Sequence, residues 1–149
     1  MARLLPALLL ALAAVAVAAV LRRRRSAPAP TQAGWKAPLQ LDRRDFSRPD
    51  APFLVALFSS ATCQTCASMA EKVAVLASAA VAVDVVEVSA RPTLHTKYRV
   101  EAVPIVVVAD GAGVARASFI GPTSATDLWA AVAEVRRPGS SPEPELGQR

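Results

Sequence analysis

The two cysteines of this 149-residue chain fall within four positions, Cys63-Gln64-Thr65-Cys66. They stand where a strand-like apolar run gives way to helical periodicity. Two thiols so spaced on a first helical turn can close a small disulfide ring. Unpaired backbone N–H groups and the positive end of the helix dipole also favour a thiolate at the first sulfur. Thiol–disulfide exchange is the chemistry this spacing allows. An inert structural bridge, two buried apolar cysteines, or a two-thiolate metal site are the other readings of the same tetrapeptide. A zinc site would need two more ligands, and His95, the single histidine, lies on a short polar stretch where it reads as a solvated surface residue.

The pair has to be positioned by the elements around it. Residues 52–58 form a continuous apolar run of strand length, as expected for a strand buried on both faces. From Cys63 to about Ala79 the apolar positions Ala67, Ala70, Val73, Ala74 and Ala77 recur at helical spacing, with Glu71 and Lys72 outward. Residues 81–88 are Val-rich and read as a second strand, and 91–99 as a short helix with Pro92 on its first turn. Residues 105–109 and 114–119 flank Asp110-Gly111-Ala112-Gly113, a hairpin signal. Ser124 with Asp127 resembles a capping box opening a helix through Leu128, Trp129, Ala131, Val132 and Val135, with Trp129 in the core. Residues 39–41 are expected to add an edge strand, with a short helix after Asp42. A right-handed crossover makes the first two strands parallel and the hairpin adds an antiparallel pair, so the fold class is an α/β sandwich with a mixed central sheet.

The flanks carry the charge. Residues 38–137 hold ten Lys and Arg against ten Asp and Glu, so the formal net charge of +5 comes from elsewhere, chiefly Arg3, Arg22, Arg23, Arg24, Arg25 and Lys36. That distribution marks a membrane boundary and gives no sign of nucleic-acid binding. Residues 4–21 are Leu, Ala and Val apart from Pro6. As a helix, this run reaches about 27 Å at roughly 1.5 Å per residue, near the thickness of a hydrocarbon core. The four arginines that follow argue against a cleaved signal peptide, which needs small residues there. They also place the amino terminus outside and the domain in the cytoplasm, with the extracytoplasmic side as the alternative. The expected organisation is an N-terminal transmembrane anchor with basic flank over 1–25, a Pro/Ala-rich tether over 26–37, a folded domain over 38–137 and a disordered tail over 138–149.

Residues 53–66, Phe-Leu-Val-Ala-Leu-Phe-Ser-Ser-Ala-Thr-Cys-Gln-Thr-Cys, resemble the active-site strand and helix start of thioredoxins. Tyr98-Arg99-Val100-Glu101-Ala102-Val103-Pro104 is similar to that family's segment leading into its third core strand, and Phe119-Ile120-Gly121 to its strand-end glycine. CxxC alone is weak, but CxxC followed 38 residues later by Val-Pro before a Val-rich strand is much stronger. The resemblance covers about 100 residues and implies a thioredoxin-like domain acting as a protein-disulfide oxidoreductase. It implies that Cys63 attacks a substrate disulfide and Cys66 resolves the mixed disulfide. It further implies that Pro104 is a cis-proline beside the disulfide, and that Thr62, Gln64, Thr65, Val103 and Gly121 line a groove for an extended peptide, with Gly121 allowing close backbone approach.

Several positions depart from the family pattern. Thr62 replaces the tryptophan that usually precedes the first cysteine, Gln64-Thr65 contains neither Gly-Pro nor a histidine, and Leu57 takes the place of a buried aspartate. The Cys63 thiol is expected below the free value of about 8.5 but not at the extreme low end. The tetrapeptide with Ala61 and Thr62 also resembles the loop of heavy-metal-associated domains that bind Cu(I). Those domains, however, continue into a second strand–helix–strand half where this chain adds a short helix, a hairpin and a closing helix. The sequence reading is thus a single-pass cell-membrane protein, monomeric, with no cofactor or metal beyond the redox-active disulfide. Its expected partners are protein thiols and disulfides and an upstream reductant.

Overall fold

A computed structural model describes residues 35–139 of the chain. Strand β1, Phe53–Ser59, is central because it has no polar face to turn to water, and from Leu54 onward it is buried throughout. It pairs in parallel with β2, Val81–Glu87, and antiparallel with β3, Ile105–Asp110. With β4, Ala115–Ile120, antiparallel to β3, the sheet order is β2-β1-β3-β4. This is the mixed sheet expected from the order of elements.

The alternation of side chains along β1 splits the core in two. Val55 and Leu57 meet Met69 and Val73 of helix α1, Gln64–Ala74, and Leu128 and Val132 of helix α3, Ala125–Arg136. Leu54, Ala56 and Phe58 meet Leu41, Phe46 and, from helix α2, Pro92–Lys97, Leu94. Each fully buried Val, Leu, Phe or Met among these stabilises the fold by about 1.5–3 kcal/mol, and Ala56 and the partly buried Leu94 by less. The result is an α/β/α sandwich in which α1 starts directly above the end of β1.

Four local expectations differ from the structure. Helix α1 stops at Ala74, and its inward face is Cys66, Met69 and Val73, continued by Leu76, while Ala67, Ala74 and Ala77 are exposed. Alanine favours a helix past that point, but tertiary contacts override it. The Arg48 guanidinium takes the carbonyls of Ser78 and Ala79 at 2.8 and 2.5 Å, and Ser78 and Val81 exchange backbone hydrogen bonds on entering β2.

His95 is buried, at 6% exposure. Its ring stands edge-on to Phe58 with centroids 5.4 Å apart, and Nε2 lies 2.9 Å from the Val86 carbonyl, to which it must donate because a carbonyl carries no proton. The polar residues around it on α2 hide an inward-facing position, so the surface reading is corrected.

Trp129 is 49% exposed, because α3 buries only the narrow Leu128 and Val132 stripe and Trp129 sits one position, about 100°, off it. The expected core role is corrected.

At the amino end, residues 39–41 make an isolated bridge, Gln40 to Val114, with no longer strand pairing, and Asp42 caps a 3-10 turn at Arg43–Asp45. Gly113, at φ +79°, is required here: its carbonyl accepts from Leu41 N–H at 2.8 Å, and a Cβ would run into the Leu41 carbonyl. The anchor expected over 4–21, its basic flank, most of the tether and nearly all of the tail lie outside the described residues. Among the described residues no helix is long and apolar enough to cross a membrane.

Candidate active site

Cys63 is the N-cap of α1, held in an extended conformation at φ −96° and ψ 106°. A Ser, Asp or Asn cap would offer an oxygen to the third helical N–H; here the cap atom is sulfur. Cys63 Sγ accepts from Cys66 N–H at 3.2 Å and lies 3.2 Å from Thr65 Oγ1. The two cysteines form a disulfide, with Cα atoms 5.2 Å apart. Cys63 is half-buried and Cys66 is 2% exposed, so one sulfur is accessible while its partner is sealed beneath it. Thr62, Gln64 and Thr65 are exposed around the accessible sulfur.

The other expected groove residues come to the same end of the sheet. Phe58 pairs with Ile105 and Ile105 with Ile120, so Pro104 and Gly121, each one residue beyond those ends, border the loop that leads into Cys63. The Val103–Pro104 peptide is cis, and the Pro104 carbonyl accepts from Gly121 N–H at 2.8 Å. Gly121 is at φ +89° and a Cβ there would meet nothing within 4 Å. Backbone conformation, not close approach, is what requires glycine there. Beyond it, Thr123 is bound to α1 from both sides: its N–H reaches Met69 Sδ at 3.4 Å and its carbonyl accepts from Lys72 Nζ at 2.9 Å. Lys72, expected to point outward, is a tie between the active-site helix and the Gly121 loop.

A residue the sequence reading missed completes the site. A cleft of about 150 Å³ beside the disulfide is lined by Cys63, Cys66, Ala67, Ala70, residues 59–61 and Glu87. The Glu87 carboxylate accepts from Ser89 Oγ at 2.6 Å, Ala90 N–H at 2.8 Å and Ala61 N–H at 3.1 Å. These hydrogen bonds, that of the Ser89 hydroxyl foremost, hold it down to a pKa of about 2. Its signal in the sequence is an acidic residue closing an otherwise Val-rich strand. Leu57 is fully buried in the apolar layer under α1, so no carboxylate occupies that position. Two larger clefts, of about 520 and 480 Å³, lie by Phe53 and Arg136 and by Asp110 and Arg116, at the far ends of β1 and β3 from the cysteines.

No protein-family model and no curated protein matches the chain. Solved structures do. Chloroplastic thioredoxin z is 20% identical with a TM-score of 0.51, covering 58% of this chain and 80% of that one. The fold is thioredoxin-like. Oxidised mitochondrial thioredoxin 3 from Saccharomyces cerevisiae is 23% identical with a TM-score of 0.49, over 58% of this chain and 81% of that one. Within this thioredoxin-like domain the cysteine pair caps the helix that follows the central strand. The arrangement offers one reachable sulfur, one enclosed sulfur, and neutral hydrogen-bond donors. Among the described residues no group of three or more His, Cys, Asp or Glu side chains is arranged so that it could hold a metal ion.

Proposed function

We propose that this protein is a membrane-tethered thiol–disulfide oxidoreductase acting on protein disulfides. The observation that carries the reading is the asymmetry of the pair: Cys63 reachable at the helix start and Cys66 at 2% exposure below it. In the reducing direction, the Cys63 thiolate attacks one sulfur of a substrate disulfide, forming a mixed disulfide and releasing the other substrate sulfur as thiolate. Cys66 loses its proton to water and attacks Cys63 Sγ. The Cys63–Cys66 disulfide closes and the second substrate thiolate leaves and is protonated. Two electrons pass from the dithiol to the substrate, and an upstream dithiol reductant restores the pair. Thr62, Gln64, Val103, Pro104 and Gly121 border the substrate's path, the Val103 backbone pairing with an extended peptide.

The apolar run over 4–21 and Arg22 to Arg25 support a single-pass anchor with the domain in the cytoplasm, where net flow is toward substrate reduction. The domain acts as a monomer in this reading. The test is turnover of a protein disulfide with a dithiol donor, expected in the wild type and lost in Cys63→Ser. Stoichiometric Cu(I) binding without turnover would instead identify a metal carrier. Partner binding that survives Cys63→Ser, with no turnover, would identify a non-catalytic module. Labelling of Cys63 in intact cells by an impermeant thiol reagent would overturn the cytoplasmic placement.

A further inference from the structure

Thr65 was expected to line a peptide groove, yet its hydroxyl is placed on the reacting atom. Thr65 Oγ1 lies 3.2 Å from Cys63 Sγ, and the sulfur also receives Cys66 N–H at 3.2 Å. In the disulfide neither sulfur carries a proton, so the threonine is the donor and the sulfur the acceptor. We propose that Thr65 is a catalytic hydrogen-bond donor to Cys63, holding the thiolate that forms on reduction beside a cleft whose lining among the described residues includes no cationic side chain. The inference rests on the exchange reading of the Cys63–Cys66 pair.

A disulfide sulfur is a weak acceptor, so in the oxidised protein the two donors contribute little. On reduction Cys63 Sγ becomes a full anion, and a hydrogen bond to an ionised acceptor is roughly twice as strong as one between neutral groups. The same two donors therefore stabilise the reduced, ionised state over the oxidised one. Two consequences share this single cause: more thiolate at neutral pH, and a pair that is easier to reduce.

The surroundings leave this part to a neutral donor. The ionisable side chain bordering the cleft from β2 is Glu87, whose anion opposes a thiolate. From the helix side, α1 presents Ala67 and Ala70 to the cleft, and the Lys72 ammonium is spent on the Thr123 carbonyl. His95 of α2 is buried against Phe58 with Nε2 on the Val86 carbonyl. The helix N-terminus supplies one N–H to the sulfur and Thr65 supplies the second donor. Threonine at this position is thus read as chemistry and not as filler between two cysteines.

The experiment uses the full-length protein in detergent micelles, reduced, with thiolate absorbance followed against pH. Thr65→Val keeps the branched shape and removes the hydroxyl; Thr65→Ser keeps the hydroxyl. The expected result is a threefold to tenfold loss in the Cys63 ionisation constant in Thr65→Val, with a shift toward the disulfide in the equilibrium with glutathione. Thr65→Ser is expected within twofold of wild type in both. A Thr65→Val ionisation constant within twofold of wild type overturns the proposal, as does a shift that Thr65→Ser fails to rescue. Failure of the exchange reading looks different: wild type without disulfide turnover, while the Thr65→Val ionisation shift persists. Turnover in wild type with a silent Thr65→Val sinks the Thr65 role alone.

Discussion

The carboxylate of Glu87, at the end of β2, accepts the backbone N–H of Ala61 at 3.1 Å, joining the second strand to the loop that delivers Cys63. The same carboxylate accepts from Ser89 and Ala90 at the start of the next connection. One side chain thus fixes two loops at the mouth of the cleft that reaches the disulfide. The carboxylate that lines the cleft beside the cysteines serves first as an anchor.

That anchor is pH-sensitive in a defined direction. The folded pKa of Glu87, about 2, lies below its ordinary value of 4.5, so its contribution to stability is complete above pH 4.5 and fades as pH falls toward 2. Glu87→Gln puts an amide nitrogen where one of the acceptors was, and is expected to be less stable than wild type at pH 6. Denaturant midpoints measured from pH 6 to pH 2 should converge as wild type loses the charge. A gap between the two proteins that stays constant over that range would rule out the ionised anchor.

Lys72 ties α1 to the Gly121 loop through the Thr123 carbonyl at 2.9 Å. Lys72→Met keeps the length and apolar stem of the side chain but cannot make that bond. If the 121–123 loop borders the substrate path, KM for a protein disulfide should rise about threefold to tenfold with the global denaturation midpoint nearly unchanged. An unchanged KM would remove the loop from the substrate path.

His95 fills a core position, so truncation leaves a cavity against Phe58 and removes the imidazole's hydrogen bond to the Val86 carbonyl. His95→Ala is expected to cost about 2–4 kcal/mol in equilibrium unfolding. A surface histidine would cost within about 0.5 kcal/mol, so the measured value decides the assignment directly.

The parts of this protein that were legible in advance are those governed by periodicity and chain chemistry. The apolar β1, the Asp110-Gly111-Ala112-Gly113 turn and the Ser124 cap each follow from a local rule, and the mixed sheet with its parallel first pair and antiparallel hairpin follows from them. What was hidden depends on contacts across the fold. The end of α1 is set by Arg48, thirty residues away in the chain from Ser78. His95 and Trp129 exchanged their expected places because a single polar or apolar residue does not reveal which side of a short helix packs. At the candidate site, Cys63, Cys66 and Pro104 are singled out by motif, whereas Glu87 offers only the weak signal of an acid at a strand end, since its contacts arise only when β2 brings it level with Ser59.

The burial of Cys66 makes a last prediction about which sulfur begins the reaction. At 2% exposure it lies below Cys63, on the inward face of α1 that it shares with Met69 and Val73, so a bulky disulfide cannot reach it in the folded protein. Cys66→Ala should leave Cys63 reactive and accumulate a mixed disulfide with substrate, because the attacking thiolate for the second step is gone. Cys63→Ala should be inert toward the same substrate. Under native conditions the remaining thiol of Cys66→Ala should alkylate on the order of a hundredfold faster than that of Cys63→Ala. Unfolding in denaturant should abolish most of that difference, since burial and the N-cap environment are both lost together. Similar native rates for the two single-cysteine proteins would mean that the enclosed sulfur reaches solvent, and the fixed order of attack, Cys63 first and Cys66 second, would have to be given up.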